Sequence, residues 1–168
     1  MNLNQPLLNE LKHEATNTRK ILESVPAEHL GWKPHPKSMT LGRLASHVAE
    51  LSDWLTYTIN ADELDLASLD YTPTELTDTQ TLFKIFDESL ARGTAALQNA
   101  SDETLMSNWT LRTGDHVMFT LPKIVVVRNM VLNHIVHHRG QLSVFLRLLD
   151  VPVPGMYGPS YDEENSNA

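Results

Sequence analysis

Apolar side chains recur every three or four residues in four long stretches of the chain, which is the pattern of amphipathic α-helices. In the first stretch, Leu8, Leu11 and Leu22 share one face, and Pro6 suits the first helical turn. Similar stripes occupy the three later stretches. The first, third and fourth predicted helices cover about 5–24, about 78–99 and about 123–149. The second runs from a cap at Ser38 or Thr40 to about Asn60.

The segments between these helices lack the helical period. Residues 61–77 are acidic and irregular, which predicts a long surface connection, and Thr77 with Gln80 predicts a capping box on the following helix. Residues 101–122 contain apolar segments on either side of a Thr-Gly-Asp turn, which predicts a short hairpin or a paired extended segment. The tail over about 150–168 is first rich in proline and glycine and then acidic, so we expect it to be irregular.

Four helices joined by long connections predict one all-α domain over 1–168, built as a four-helix bundle. A length of 168 residues without internal repeats also favours a single domain with one hydrophobic core. Connections of this length leave the order of the helices open, because consecutive helices need not pair as antiparallel neighbours.

Composition and charge narrow the class of protein. An apolar fraction of 41% with 20% charged residues is typical of a soluble globular protein. The longest aliphatic run covers 124–127, far short of the ~20 residues of a membrane helix, and the N-terminus lacks a secretory signal. We therefore expect a cytoplasmic protein without a membrane partner. The formal net charge of −8 also disfavours nucleic acid as a partner.

The chain has eight histidines and no cysteine. The absence of cysteine excludes disulfides, thiolate metal sites and a protein thiol nucleophile, so a bound metal would need imidazole or carboxylate ligands. If the protein transfers a thiol, the sulfur must arrive with a cosubstrate. The orientation of the histidines therefore decides which chemistry the chain can support.

Helical phase selects three of the eight histidines. His134 and His138 fall within the apolar stripe of the last predicted helix, at the i, i+4 spacing that lets two imidazoles bind one divalent ion. His137 lies about 100° away, at the margin of that face. On the second predicted helix, His47 shares the apolar face with Leu44. Three imidazoles would leave one coordination position of a metal open for water or substrate, as in catalytic sites.

Other polar residues are weaker candidates. Glu50 and Gln141, each about one turn beyond a predicted ligand, could orient a ligand or the substrate, but surface or interface packing also explains them. Arg43 could face an anionic substrate or form an outward salt bridge. Tyr157 is interpreted as an anchor of the tail. The remaining histidines are assigned to the surface: His13, His29, His35 and His116.

Three motifs carry a resemblance to a known family. They are Trp32-Lys-Pro34 with Ser38-Met-Thr40-Leu-Gly42 and His47, then the run from His134 to Gln141, and finally the run from Val153 to Ser160. With these motifs the chain resembles the DinB family, including the DinB/YfiT-like metalloenzymes, over essentially its whole length.

The resemblance implies a four-helix bundle of up-down-down-up order, commonly dimeric, in which three histidines bind nickel or zinc. The family's motif histidines fall on His47, His134 and His138. Members with assigned chemistry include S-transferases and isomerases that use small thiols such as bacillithiol or mycothiol. The family name refers to induction by DNA damage, and the acidic charge of this chain gives no support for DNA contact.

The leading hypothesis is a metal-dependent enzyme that activates a thiol cosubstrate or water for attack on a small electrophile. One alternative is a non-catalytic metal-binding homodimer with a structural or sensing role. Leu132 and Val136 lie away from the histidine stripe and predict a second buried surface, formed either by a dimer or by the 100–122 segment. In another alternative, the three histidines are only polar residues of the core.

Overall fold

The computed structural model describes residues 2–74, 76 and 78–165. Within these ranges the protein is mostly helical, with one small three-stranded sheet. The helices are α1 (Asn4–Glu23), α2 (Leu41–Glu50), α3 (Trp54–Asn60), α4 (Thr79–Asn99), α5 (Asp102–Met106), α6 (Lys123–Val126), α7 (Asn133–Leu148) and α8 (Tyr161–Glu164). The strands are β1 (Glu63–Asp65), β2 (Asn108–Thr113) and β3 (His116–Pro122).

The predicted second helix is interrupted. Thr40 caps α2 by accepting a hydrogen bond from the Arg43 amide at 3.1 Å, but a 3₁₀ turn at Leu51–Asp53 separates α2 from α3. The turn packs closely against α4, where a Cβ on Gly93 would lie 2.3 Å from the carbonyl oxygen of Ser52. This approach requires glycine at position 93, and it places the two halves of the interrupted helix against α4.

The first and third predicted helices agree with α1 and α4 to within one residue at each end. The predicted cap at Thr77 lies outside the described residues. In the structure Asp78 caps α4, because its carboxylate accepts a hydrogen bond from the Thr81 amide at 2.7 Å.

The hairpin prediction is confirmed, since β2 and β3 pair antiparallel around a turn that contains Gly114. Gly114 adopts φ +56°, a conformation that favours glycine. The 61–77 connection is not wholly irregular as predicted, because its residues Glu63–Asp65 form β1 and pair parallel to β2. Strand β1 is thus an addition to the predicted architecture of helices with one hairpin.

The predicted last helix starts after Pro122, as expected, but it is not a uniform α-helix. A π-helical turn at Val127–Leu132 separates α6 from α7. π-turns within helices are often found at functional sites. Both predicted histidine ligands of this helix belong to the regular part, α7, so their i, i+4 relation is kept.

The long helices pack on one another around an apolar core. Helix α4 contacts α1, α2 and α3, while α7 contacts α1 and α2. The tail contains one helical turn, α8, which starts with a capping box between Ser160 and Glu163, so the tail is less irregular than predicted. Among the described residues, no helix is both long enough and apolar enough to cross a membrane.

Candidate metal centre

Helices α2 and α7 bring His47, His134 and His138 together. One ring nitrogen of each lies within 4.8 Å of those of the other two. The ring of His47 is centred 5.2 Å from that of His134 and 4.6 Å from that of His138. We call these three residues the histidine cluster. Helical phase alone predicted this convergence, although the two helices are some ninety residues apart in the sequence.

Hydrogen bonds orient two of the three imidazoles. The Nδ1–H group of His134 donates to the carbonyl oxygen of Met130 at 3.3 Å, within the π-helical turn. The Nδ1–H group of His138 donates to the side-chain oxygen of Gln141 at 2.7 Å. Because both acceptors are oxygens without a proton to give, each Nδ1 carries the hydrogen and each Nε2 keeps its lone pair.

The two Nε2 atoms of His134 and His138 lie 2.8 Å apart. With both hydrogens on Nδ1, the two lone pairs point to one place, which is favourable when both nitrogens bind the same cation. Histidine metal ligands are commonly oriented in this way, through a hydrogen bond from the ring nitrogen that does not bind the metal. The donor set therefore fits a divalent ion.

The electrostatics of the cluster also favour metal binding. Burial, reinforced by the neighbouring His138, His134 and Arg43, lowers the pKa of His47 from 6.5 to about 4. Burial also lowers the pKa of His134 and of His138, although their hydrogen bonds to Met130 and Gln141 partly oppose the effect. The three rings are therefore neutral near pH 7, the form in which imidazole binds metals.

The other five histidines lie at the surface: His13, His29, His35, His116 and His137. The first four agree with the prediction. His137 was placed at the margin of the apolar face, and it is exposed, where its Nε2 accepts a hydrogen bond from the Gln141 amide at 3.1 Å. Gln141 thus contacts both His137 and His138, so the amide is fixed from both ends.

The other two weaker candidates lie beside the cluster and contact each other. An Arg43 Nη1 atom lies 3.4 Å from Oε2 of Glu50 and donates to the Ser46 hydroxyl at 2.9 Å. The Tyr71 hydroxyl accepts from Arg43 Nη2 at 2.7 Å and donates to Glu50 Oε2 at 2.9 Å. Arg43 therefore forms a salt bridge, lines the same cavity as His47 and lowers the pKa of His47.

A cavity of about 530 Å³ adjoins the histidine cluster. His47, Arg43 and Glu50 line it from α2, and the segment of the 61–77 connection that holds Tyr71 forms another wall. Its volume lies in the range typical of small-molecule sites. The sequence did not predict the role of Tyr71, because this connection has no periodicity that would show which side chains face inward.

A second polar cluster lies next to the first and was not predicted; Arg139, Glu14 and Thr18 in it are buried, while Tyr157 covers them from the exposed side. Arg139, adjacent to His138, is paired with the buried carboxylate of Glu14 and donates to the Thr18 hydroxyl at 3.2 Å. Tyr157 joins them, accepting from Arg139 at 2.6 Å and donating to Glu14 at 2.8 Å. We call these four residues the arginine cluster. Its hydrogen bonds attach the tail to α1 and α7, in agreement with the anchoring role predicted for Tyr157.

The fold and the site together define a mostly helical protein with a three-histidine cluster that could hold a metal ion. The sequence model of the DinB family matches residues 1–167, and the chain belongs to this family. DinB proteins commonly bind metal ions.

Three known proteins are similar to this chain. The protein YrdA of Bacillus subtilis (strain 168) is 28% identical over 163 residues, which are 93% of this chain and 89% of the relative. The crystal structure of a DinB-like protein from Bacillus cereus ATCC 10987 matches with a TM-score of 0.69 at 24% identity, over 90% of this chain and 95% of that one. The DinB-like protein YjoA from Bacillus subtilis matches with a TM-score of 0.68 at 16% identity, over 92% and 100%. At these identities the two structures support the fold.

Proposed function

We propose that the protein is a divalent-metal-dependent enzyme that activates a thiol cosubstrate or water for attack on a small electrophile, as an S-transferase or a hydrolase does. The observation that carries this proposal is the position of the histidine cluster: three neutral imidazoles converge where His47 lines a cavity large enough for a small molecule. A structural ion needs no such cavity, whereas a catalytic ion needs one for its substrate.

His47, His134 and His138 would hold the ion, and zinc and nickel both suit three imidazoles. When bound, a divalent ion lowers the pKa of a thiol or water and so supplies a nucleophile near neutral pH. The protein's own contribution is to hold the three rings neutral and oriented, through burial and through the hydrogen bonds of Met130 and Gln141. Within the proposal, these helices form one domain over 1–168, a four-helix bundle of up-down-down-up order.

Metal analysis tests the first half of the proposal. Protein purified without a histidine tag should contain about one zinc or nickel per chain after that metal is supplied, and His134→Ala should contain much less. The exposed His13 offers a matched control, since His13→Ala should retain the metal. Well under one metal per chain in the wild type would contradict the proposal.

Activity assays test the second half. The wild type and His134→Ala are compared with a panel of small electrophiles, once with bacillithiol or other small thiols and once with water alone. Thiol-dependent conjugation that His134→Ala abolishes supports the S-transferase type, and thiol-independent hydrolysis that it abolishes supports the hydrolase type. Activity that survives the substitution would contradict both.

A non-catalytic metal-binding homodimer with a structural or stress-response role is a second candidate, and one observation favours it. Val136, Val144 and Leu148 are between 38% and 58% exposed along one face of α7, and the Cα of Gly140 between them is open to contact. Leu132 is buried in the protein's own core, in a cluster that includes Leu105 of the 100–122 segment, so at Leu132 the second of the two predicted alternatives holds. Sedimentation analysis of the wild type and Val144→Glu tests the dimer, and a monomeric wild type would contradict it.

A further inference from the structure

We propose that the cavity beside His47 binds a small molecule that has an apolar body and an amine, and that the amine donates a hydrogen bond to Oε1 of Glu50. This inference rests on the proposed function, because it names the class of substrate that the same site would take. It is carried by three independent features of the cavity: an unpartnered carboxylate oxygen, the charge of the lining and an apolar wall.

The two carboxylate oxygens of Glu50 have different surroundings. Oε2 is close to Nη1 of Arg43 and accepts a hydrogen bond from the Tyr71 hydroxyl. Oε1 is buried, and no group among the described residues donates to it. A buried acceptor without a donor destabilises the protein, and more so when it is charged. Oε1 is shielded from solvent, but Glu50 lines the cavity, so a small rotation of the carboxylate turns Oε1 toward a molecule there, which then provides the missing donor.

The charged side chains of the lining disfavour an anion. Both arginines are already paired: Arg43 with Glu50, and Arg92 with Asp53 through two hydrogen bonds of 2.8 Å. Among the described residues that line the cavity, carboxylates exceed cationic groups by two, four against two. The lining carboxylates are Glu50, Asp53, Asp70 and Glu88, and the lining cations are Arg43 and Arg92. A ligand with a positive charge or a neutral N–H donor therefore suits this lining.

The remaining wall is apolar. Its side chains come from α3, from α4 and from the connection that follows α3: Trp54, Tyr57, Leu64, Leu66, Leu69 and Ile85. The rings of Trp54 and Tyr57 stand edge to face with their centres 6.4 Å apart. Such a wall buries an aromatic or aliphatic body, while Glu50 in the same lining fixes the orientation of its polar end.

Three probes with one aromatic ring and different polar ends test the proposal: benzylamine, benzyl alcohol and benzoate. Binding to the full chain is measured at pH 7.5 by calorimetry, and the indole N–H resonance of Trp54 reports whether a probe occupies this cavity. The titrations use the protein both loaded with zinc and after dialysis against a chelator. In the chelated protein an amine cannot bind a metal, so the result is independent of whether the histidine cluster holds an ion.

In the chelated wild type we expect benzylamine to bind at least about tenfold more tightly than benzyl alcohol, and benzoate to bind most weakly. Equal affinities, or a preference for benzoate, would overturn the proposal, as would benzylamine binding that leaves the Trp54 resonance unchanged. These wild-type measurements do not depend on the folding of any variant. If the protein binds no metal but prefers the amine, the proposed function is wrong and the amine site remains supported. If the protein binds metal but shows no preference for the amine, only this inference is wrong.

Glu50→Gln sharpens the test, and Glu88→Gln is its matched control. The amide oxygen of the new side chain must stay near Arg43 and Tyr71, which donate, so its NH₂ group takes the place of Oε1. The variant should lose the preference for benzylamine and gain affinity for benzoate. Glu88→Gln removes the same charge from a more exposed part of the lining and should keep the wild-type order. Equal losses of benzylamine affinity in both variants would show that overall charge, and not Oε1, sets the preference.

Discussion

Two neighbouring residues of α7, His138 and Arg139, belong to polar clusters with opposite properties. In the arginine cluster the charges have partners from the protein itself: the buried guanidinium of Arg139 is paired through its Nη2 with the buried carboxylate of Glu14, although its Nε has no hydrogen-bond partner among the described residues. In the histidine cluster the rings are neutral, and the Nε2 atoms of His134 and His138 face each other without another protein partner among the described residues.

The comparison shows how a buried structural group can be told from a binding group in this protein. Burying a charge is favourable only when a partner compensates it, and the arginine cluster contains its compensation. Pointing several nitrogen lone pairs at one place is favourable only when a cation or a hydrogen-bond donor binds there. Among the described residues, no protein group fills that place in the histidine cluster. We therefore expect changes in the arginine cluster to reduce stability, and changes in the histidine cluster to reduce metal affinity.

The largest effect is expected for Glu14→Ala, which leaves the guanidinium of Arg139 buried without its counter-ion. Loss of one partner of a buried ion pair lowers the free energy of unfolding by about 3–5 kcal/mol, measurable by urea denaturation. Glu10→Ala is the matched control, because Glu10 lies one turn earlier on α1 and pairs with Arg128 at the surface. The control should cost less than about 1 kcal/mol. Equal losses would remove the distinction between the two regions.

Gln141→Ala tests the other side of the comparison. It removes the oxygen that fixes the Nδ1–H group of His138, so the ring loses its orientation but keeps its ability to bind a metal. We expect zinc affinity to fall by about 10–100-fold, with the unfolding free energy of the metal-free protein changed by less than about 1 kcal/mol. Ser143→Ala on the same helix should leave zinc affinity unchanged. A loss of stability in Gln141→Ala without a loss of zinc affinity would contradict the assignment.

Much of the fold could be predicted because its signals are local. Helical periodicity located α1 and α4 to within a residue. The interruption at Leu51–Asp53 could not be predicted, since it depends on contact with Gly93, some forty residues later. Strand β1 is three residues long and pairs with a strand more than forty residues away, so no local pattern identified it.

The candidate site divides in the same way. His47, His134 and His138 could be predicted because each lies in a regular helix, where phase determines the face. Tyr71 could not, because it lies on an irregular connection whose direction is set by contacts with Arg43 and Glu50. The arginine cluster was missed for a related reason: Glu14 and Arg139 are charged, and only their mutual pairing makes their burial favourable.

A smaller effect is expected for Tyr157→Phe, which keeps the ring near Arg139 but removes the hydroxyl that bonds Arg139 and Glu14. We expect the unfolding free energy to fall by about 1 kcal/mol and zinc affinity to stay the same. Tyr161→Phe is the control: its ring is 73% exposed, close to the 64% of Tyr157, but among the described residues its hydroxyl makes no hydrogen bond, so the substitution should change neither. A change in zinc affinity in Tyr157→Phe would show that the two clusters are coupled.

The smallest effect concerns pH, and it tests whether the histidine cluster is held neutral. A pKa lowered below 6.5 means that the folded protein takes up protons only at lower pH than an ordinary histidine does. With a pKa of about 4, His47 is only about 3% protonated at pH 5.5, whereas an ordinary imidazole is about 90% protonated.

Because protons compete with the metal, three ordinary imidazoles would lose about a thousandfold in zinc affinity between pH 7.5 and 5.5. Because His47 contributes almost nothing to the loss and the lowered pKa of His134 and of His138 keeps each of their contributions below tenfold, we expect the wild type to lose less than about a hundredfold, measured by competition with a chelator of known pH dependence. A loss near a thousandfold would show that burial does not keep these rings neutral, and the contrast with the charged arginine cluster would then disappear.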